Sequence, residues 1–96
     1  MHTPDNTINI EIFSAPGCSK CGKAFQLVEA VLKEPGNESV NLRRVNIVDE
    51  LDYAVNLGIR ATPGIVINGV LVFTAMPDTK TLRKAIQSRQ VLIKQE

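Results

Sequence analysis

The stretch Phe13-Ser14-Ala15-Pro16-Gly17-Cys18-Ser19-Lys20-Cys21 decides how this chain reads. It begins where an alternating apolar pattern stops. Ile8, Ile10 and Ile12 are separated by Asn9 and Glu11 and lead into Phe13, the period-two signature of a strand over residues 8–13. Ser14 to Gly17 breaks that strand. From Cys18 onward Ala24, Phe25, Leu27, Val28, Val31 and Leu32 recur at helical spacing, which predicts a helix from Cys18 to Lys33. The chain's 2 cysteines therefore fall together at a strand-to-helix junction.

That placement carries chemistry. A helix N-terminus presents unpaired N–H groups and about half a positive charge, so it stabilises a thiolate and lowers its pKa. Cys18, nearer the helix start and preceded by small residues, is expected to be the exposed attacking thiol. Cys21, one turn on, is expected to be shielded and within bonding reach of Cys18, as a resolving thiol must be. Lys20 is a candidate for tuning the thiolate, as is Lys23, set against the ordinary reading of a solvated lysine. A bridge across so short a loop constrains the unfolded chain little, so its purpose is read as chemical. Soft thiolates also suit Cu(I), which leaves metal carriage as a competing use of the same pair. Structural zinc needs four ligands, more than two cysteines and His2 in the polar leader supply. A redox-inert adaptor has no need of both thiols.

Working outward, Glu34-Pro35-Gly36-Asn37 ends the first helix. Leu42, Val45, Ile47 and Val48 predict a second strand, with Asp49 as the cap of a short helix from Glu50 to Leu57 that Gly58 closes. Ile65-Val66-Ile67 and Val70-Leu71-Val72-Phe73 flank Asn68-Gly69, which supplies positive φ at both centres of a tight hairpin turn. After Met76-Pro77, Asp78 or Thr79 caps a last helix with Leu82, Ala85, Ile86 and Ile93 on one face. Arg43-Arg44 and Asp49-Glu50 read as solvated surface. The order is β-α-β-α-β-β-α, an α/β chain with a four-stranded mixed sheet and helices on both faces.

Composition agrees with one small domain over residues 1–96, with 1–7 as a flexible leader. Its 11 Lys and Arg against 10 Asp and Glu give no basic footprint for nucleic acid. No stretch approaches a membrane span and no signal-peptide pattern opens the chain, so a cytoplasmic monomer is expected.

The quoted stretch, joined to Gly58-Ile59-Arg60-Ala61-Thr62-Pro63-Gly64, resembles the thioredoxin and glutaredoxin superfamily from about Ile8 to Ile86. It is most like the short redox-active disulfide proteins that lack thioredoxin's extra N-terminal strand and helix. The resemblance implies a thioredoxin-like fold and reduction of protein disulfides. It implies no cofactor beyond the Cys18–Cys21 disulfide, and a reductase or low-molecular-weight thiol upstream. It also implies that Pro63 is cis and lies against the disulfide, with the Thr62 backbone offering strand-like hydrogen bonds to substrate and Pro16, Gly17 and Ala61 beside them. A tertiary amide makes cis accessible at X-Pro, and proline has no N–H to compete for the sulfurs. The chain departs from thioredoxin in having Gly17 before the first cysteine, Ser19-Lys20 between the pair, and Ile12 where thioredoxin has a buried acid. Thr74-Ala75-Met76-Pro77-Asp78 stands where glutaredoxins carry a Gly-Gly and acidic glutathione-binding segment. Asp78 retains a trace of it, so a glutathione-dependent reductase is the alternative reading.

Overall fold

The structure is a computed structural model that describes residues 7–94, with side chains to residue 89. Seven elements follow in the expected order: β1 (Ile8–Ser14), α1 (Cys21–Leu32), β2 (Val40–Asn46), α2 (Leu51–Leu57), β3 (Gly64–Ile67), β4 (Val70–Phe73) and α3 (Thr79–Lys94). The strands form one sheet in the order β2-β1-β3-β4. β1 runs parallel to β2, with Ile12 opposite Arg44, and antiparallel to β3, with Phe13 opposite Gly64. This is the mixed four-stranded α/β sheet, with helices on both faces, that the patterning implied.

Period two in β1 decides which helix covers which face. Ile8, Ile10 and Ile12 pack with Val28 and Val31 of α1, Ile65 and Ile67 of β3, and Leu82 and Ile86 of α3. Phe13, Val45 and Val66 pack on the other face with Ala54 of α2, flanked by Tyr53, Leu57, Ile59 and Leu71. Because β3 is buried on both faces, its sequence is a continuous apolar run rather than an alternating one. Each fully buried side chain of this kind contributes about 1.5–3 kcal/mol relative to exposure.

The turns follow their residue types. Asn68 and Gly69 hold φ of 51° and 81° between β3 and β4, the left-handed pair that a two-residue hairpin requires. Gly58 ends α2 at φ 88°. Two expectations are corrected on either side of α2. Ile47 and Val48 are not in β2, which stops at Asn46; the Asn46 Oδ1 accepts the Val48 N–H at 2.9 Å and bends the chain, leaving Val48 65% exposed. Asp49 does not cap α2 either. Glu50 holds the cap position without a side-chain bond to the helix, its carboxylate being engaged by Arg43.

Arg43 is thus more than a solvated charge. Its guanidinium joins Glu11 at 2.9 Å and Glu50 at 3.2 Å, and the Tyr53 hydroxyl donates to the Glu11 Oε1 at 2.5 Å. The bond to Glu11, with partial desolvation, holds the Tyr53 pKa above the ordinary phenol value. A raised phenol pKa favours the neutral form in the fold, so its stabilisation is complete below the unfolded value of about 10 and is lost as pH rises through the folded one. Tyr53 is the chain's 1 tyrosine, so phenolate absorbance reports on it alone. Its midpoint is expected to lie higher in the native protein than in urea, and Glu11→Gln is expected to close most of that gap.

At the start of α3 the Asp78 Oδ1 accepts the Thr81 N–H at 2.7 Å, so Asp78 is the cap. That backbone bond, with the Thr81 side chain, lowers the Asp78 pKa. A depressed carboxyl pKa stabilises the fold above the unfolded value of about 3.9 and ceases to do so as pH falls through the folded value. Asp78→Ala is therefore expected to lower the urea midpoint at neutral pH, and the difference from wild type is expected to vanish in strong acid. Of the leader only Thr7 is described; His2 and the side chain of Ile93 lie outside the described residues. Among the described residues no helix is long and apolar enough to cross a membrane.

Candidate functional site

β1 is fastened at its C-terminal end before the chain turns. The Ser14 carbonyl accepts the Ile47 N–H at 2.9 Å, and the Ser14 hydroxyl donates to the Val45 carbonyl at 3.4 Å. Beyond this anchor the Cys18 N–H donates to the Ala15 carbonyl at 3.1 Å, closing a turn in which Gly17 holds φ at 82°. A side chain at position 17 would disfavour that conformation, which accounts for the glycine before the first cysteine. Pro16 and Gly17 are exposed, Cys18 is half-buried, and Cys21 is 1% exposed.

Cys18 and Cys21 are joined as a disulfide, with 5.6 Å between their Cα atoms. The expected helix boundary is corrected here: α1 begins at Cys21, three residues later than the apolar periodicity suggested. The Cys21 N–H bonds to the Cys18 carbonyl at 3.4 Å, a tighter turn than the α-helix makes. The first helical i→i−4 bond runs from the Ala24 N–H to the Lys20 carbonyl at 2.9 Å. Cys18 thus stands ahead of the helix, in the turn next to its positive pole, while Cys21 is its first residue. Lys20 occupies the cap position, exposed and without a side-chain capping bond.

The sheet register brings a second segment to the same place. Because Gly64 lies opposite Phe13, Pro63 continues the antiparallel path to the level of Ser14, and Ala61 and Thr62 extend past the end of β1. The Thr62–Pro63 peptide bond is cis. Pro63 is buried, Thr62 half-buried and Ala61 exposed. The next residue is Gly64, where an added Cβ would stand 2.8 Å from the Ile59 Cδ1 and push that side-chain end aside. Pro16, Gly17, Cys18, Lys20 and Cys21 on one connection, and Ala61, Thr62 and Pro63 on another, therefore meet at one end of the sheet. Asp78 is occupied at the start of α3, and Met76 is 42% exposed.

Ile12 is fully buried on the α1 face. Glu11 bonds instead to Arg43 and Tyr53, so neither supplies a buried acid behind the cysteines. Sequence reading missed Arg44. Its guanidinium lies over the Phe25 ring at 5.5 Å from the centroid, and it lines a groove of about 460 Å³ with Ser14, Ala15, Pro16 and Asn46. Period two counted back from Asn46 through Arg44 to Leu42 was the available signal. Among the described residues no group of three or more His, Cys, Asp or Glu is gathered as metal ligands would be.

A bonded cysteine pair, one residue half-buried and the other covered, at the strand-to-helix junction of a mixed sheet, is the arrangement of a thiol–disulfide oxidoreductase. The chain belongs to the thioredoxin family, whose model, described as a thioredoxin domain, matches residues 8–87. It is 34% identical over 79 residues to a probable thioredoxin of Methanothermobacter thermautotrophicus, covering 82% of this chain and 92% of that protein. It is 35% identical over 82 residues to a thioredoxin of Methanocaldococcus jannaschii, covering 85% and 95% respectively. Two solved thioredoxins share the fold. That of Malassezia sympodialis has a TM-score of 0.72 at 24% identity, covering 88% of this chain and 76% of its own. A point mutant from Halobacterium salinarum has a TM-score of 0.73 at 20% identity, with coverage of 88% and 76%.

Proposed function

We propose that this protein reduces disulfides in other proteins, with Cys18 as the nucleophile and Cys21 as the resolving thiol. The observation that carries the reading is the unequal burial of the bonded pair: Cys18 is reachable and Cys21 is covered. In the reduced protein the Cys18 thiolate, stabilised by the positive end of α1, attacks one sulfur of a substrate disulfide. A Cys18–substrate disulfide forms, and the other substrate sulfur leaves as a thiolate that takes a proton from water. Cys21 then loses its proton and attacks the Cys18 sulfur, releasing the second substrate thiolate and leaving the Cys18–Cys21 disulfide. Two electrons and one proton, supplied with an upstream dithiol reductase or a low-molecular-weight thiol, restore the Cys18 thiolate and the Cys21 thiol. With Ile12 behind the pair, water is the acceptor for the Cys21 proton.

Thr62 and Pro63 are proposed to receive an extended substrate segment, the Thr62 backbone bonding to it as a further strand, beside Pro16, Gly17 and Ala61. Lys20 adds positive potential near the attacking sulfur. A reducing compartment such as the cytoplasm suits this direction of exchange. The glutathione-dependent alternative is weakened because Thr74-Ala75-Met76-Pro77 supplies no Gly-Gly turn ahead of Asp78. The test is insulin reduction with thioredoxin reductase and NADPH, with glutathione, and with dithiothreitol as the donor. Turnover with dithiothreitol is expected, and a second donor that sustains it identifies the class of partner. No acceleration over dithiothreitol alone would overturn the reading.

A further inference from the structure

The groove beside the cysteine turn has a chemistry that disulfide exchange alone does not require. Ser14, Arg44 and Asn46 share the α1 face of the sheet, since Ile12 pairs with Arg44 and Ser14 with Asn46 in the parallel register. Across the groove are Ala15 and Pro16, and Pro16 is two residues before Cys18. Arg44 is held over Phe25, which lies one helical turn past Cys21. Stacking on an aromatic face orients the planar guanidinium and leaves its N–H edge to bond in plane. The ion pairs of the described residues take up Arg43 and Arg83 but not Arg44. The Asn46 Oδ1 already accepts the Val48 N–H, and the same side chain carries two amide donors. No acidic residue lines the groove. Two side-chain donors, one of them a cation without an acidic partner, face a site open to solvent beside the reactive turn.

From this arrangement we infer that Arg44, with Asn46, forms a carboxylate subsite that selects protein substrates bearing an acidic residue next to the disulfide cysteine. The inference rests on the disulfide-reductase reading above. Arg44 is a specificity-determining residue here, acting on the substrate's neighbouring side chain and taking no part in the exchange of sulfurs. Because Arg44 is exposed, the selectivity is modest and salt-dependent: an exposed pair supports roughly a three- to fivefold preference, reduced at high ionic strength.

The test compares two disulfide-linked peptides that differ only in carrying Glu or Gln beside the cysteine, reduced by the full-length protein with dithiothreitol as donor. The expected result is a ratio of kcat/KM of about three to five in favour of the Glu peptide at low salt. That ratio is expected to fall to about one in Arg44→Gln and to an intermediate value in Arg44→Lys, which keeps the charge but loses the planar edge held over Phe25. Using the ratio cancels any general loss of folded protein. A ratio of one in the wild type, or a ratio unchanged by Arg44→Gln, would overturn the subsite and leave the reductase reading standing. Failure to reduce either peptide would overturn the reductase reading and the subsite with it. A parallel pair, 3,3′-dithiodipropionate and bis(2-hydroxyethyl) disulfide, separates the source of the carboxylate. An acidic preference confined to that pair would overturn the assignment to protein substrates.

Discussion

Cys18→Ala is expected to abolish insulin reduction, a loss of at least about a thousandfold in kcat/KM, because removing the attacking group leaves only positioning. Cys21→Ala is expected to fail differently. Cys18 still attacks, but no second thiol lies within reach to release the substrate, so the protein accumulates as a mixed disulfide that mass spectrometry detects as the summed mass of both partners. The unequal burial of the two sulfurs is the reason to expect this asymmetry: a substrate sulfur approaches the half-buried Cys18, whereas Cys21 lies beneath the surface at the first residue of α1. Circular dichroism of both variants separates chemical loss from unfolding. Trapping through Cys21 in the Cys18→Ala protein, or multiple turnovers by Cys21→Ala at the wild-type rate, would reverse or remove the assigned roles.

Phe13→Ala is expected to have the largest effect on stability. Phe13 is fully buried on the α2 face with Val45, Ala54 and Val66, and the Tyr53 ring lies 5.6 Å from it, centroid to centroid. Truncating a buried aromatic removes its transfer free energy and leaves a cavity, together costing about 3–5 kcal/mol. A domain of this size has only about 5–15 kcal/mol to lose. Urea unfolding followed by circular dichroism measures the change. Activity per folded molecule is expected to hold, because Phe13 packs on the α2 face of the sheet, opposite α1, which carries Cys21. A loss below about 1 kcal/mol would mean that the surrounding side chains close the cavity, contrary to the dense packing on this face.

What was legible in the sequence was whatever short-range pattern controls. Alternation located β1, the left-handed pair Asn68-Gly69 located the hairpin, and a continuous apolar run located β3. The cysteine pair was legible because its position at a strand-to-helix junction carries chemical meaning. The start of α1 was not, because helical periodicity cannot distinguish a helix from the turn that precedes it. Only the bonds from Cys18 to Ala15 and from Cys21 to Cys18 show that Cys18 stands outside. Val48 and Asp49 were misplaced for a related reason. The Asn46 side chain captures the Val48 amide and Arg43 holds Glu50. Arg43 and Arg44 looked alike as adjacent surface charges, but the pleat sends one to two carboxylates and the other onto an aromatic ring.

The two cysteine-bearing and proline-bearing connections hang from β1 and β3, the inner pair in the order β2-β1-β3-β4. Amides of such strands are shared with neighbours on both sides, so fraying at either border of the sheet leaves their spacing intact. The cysteine turn and the Thr62–Pro63 turn are therefore anchored on two adjacent strands of one cooperative unit.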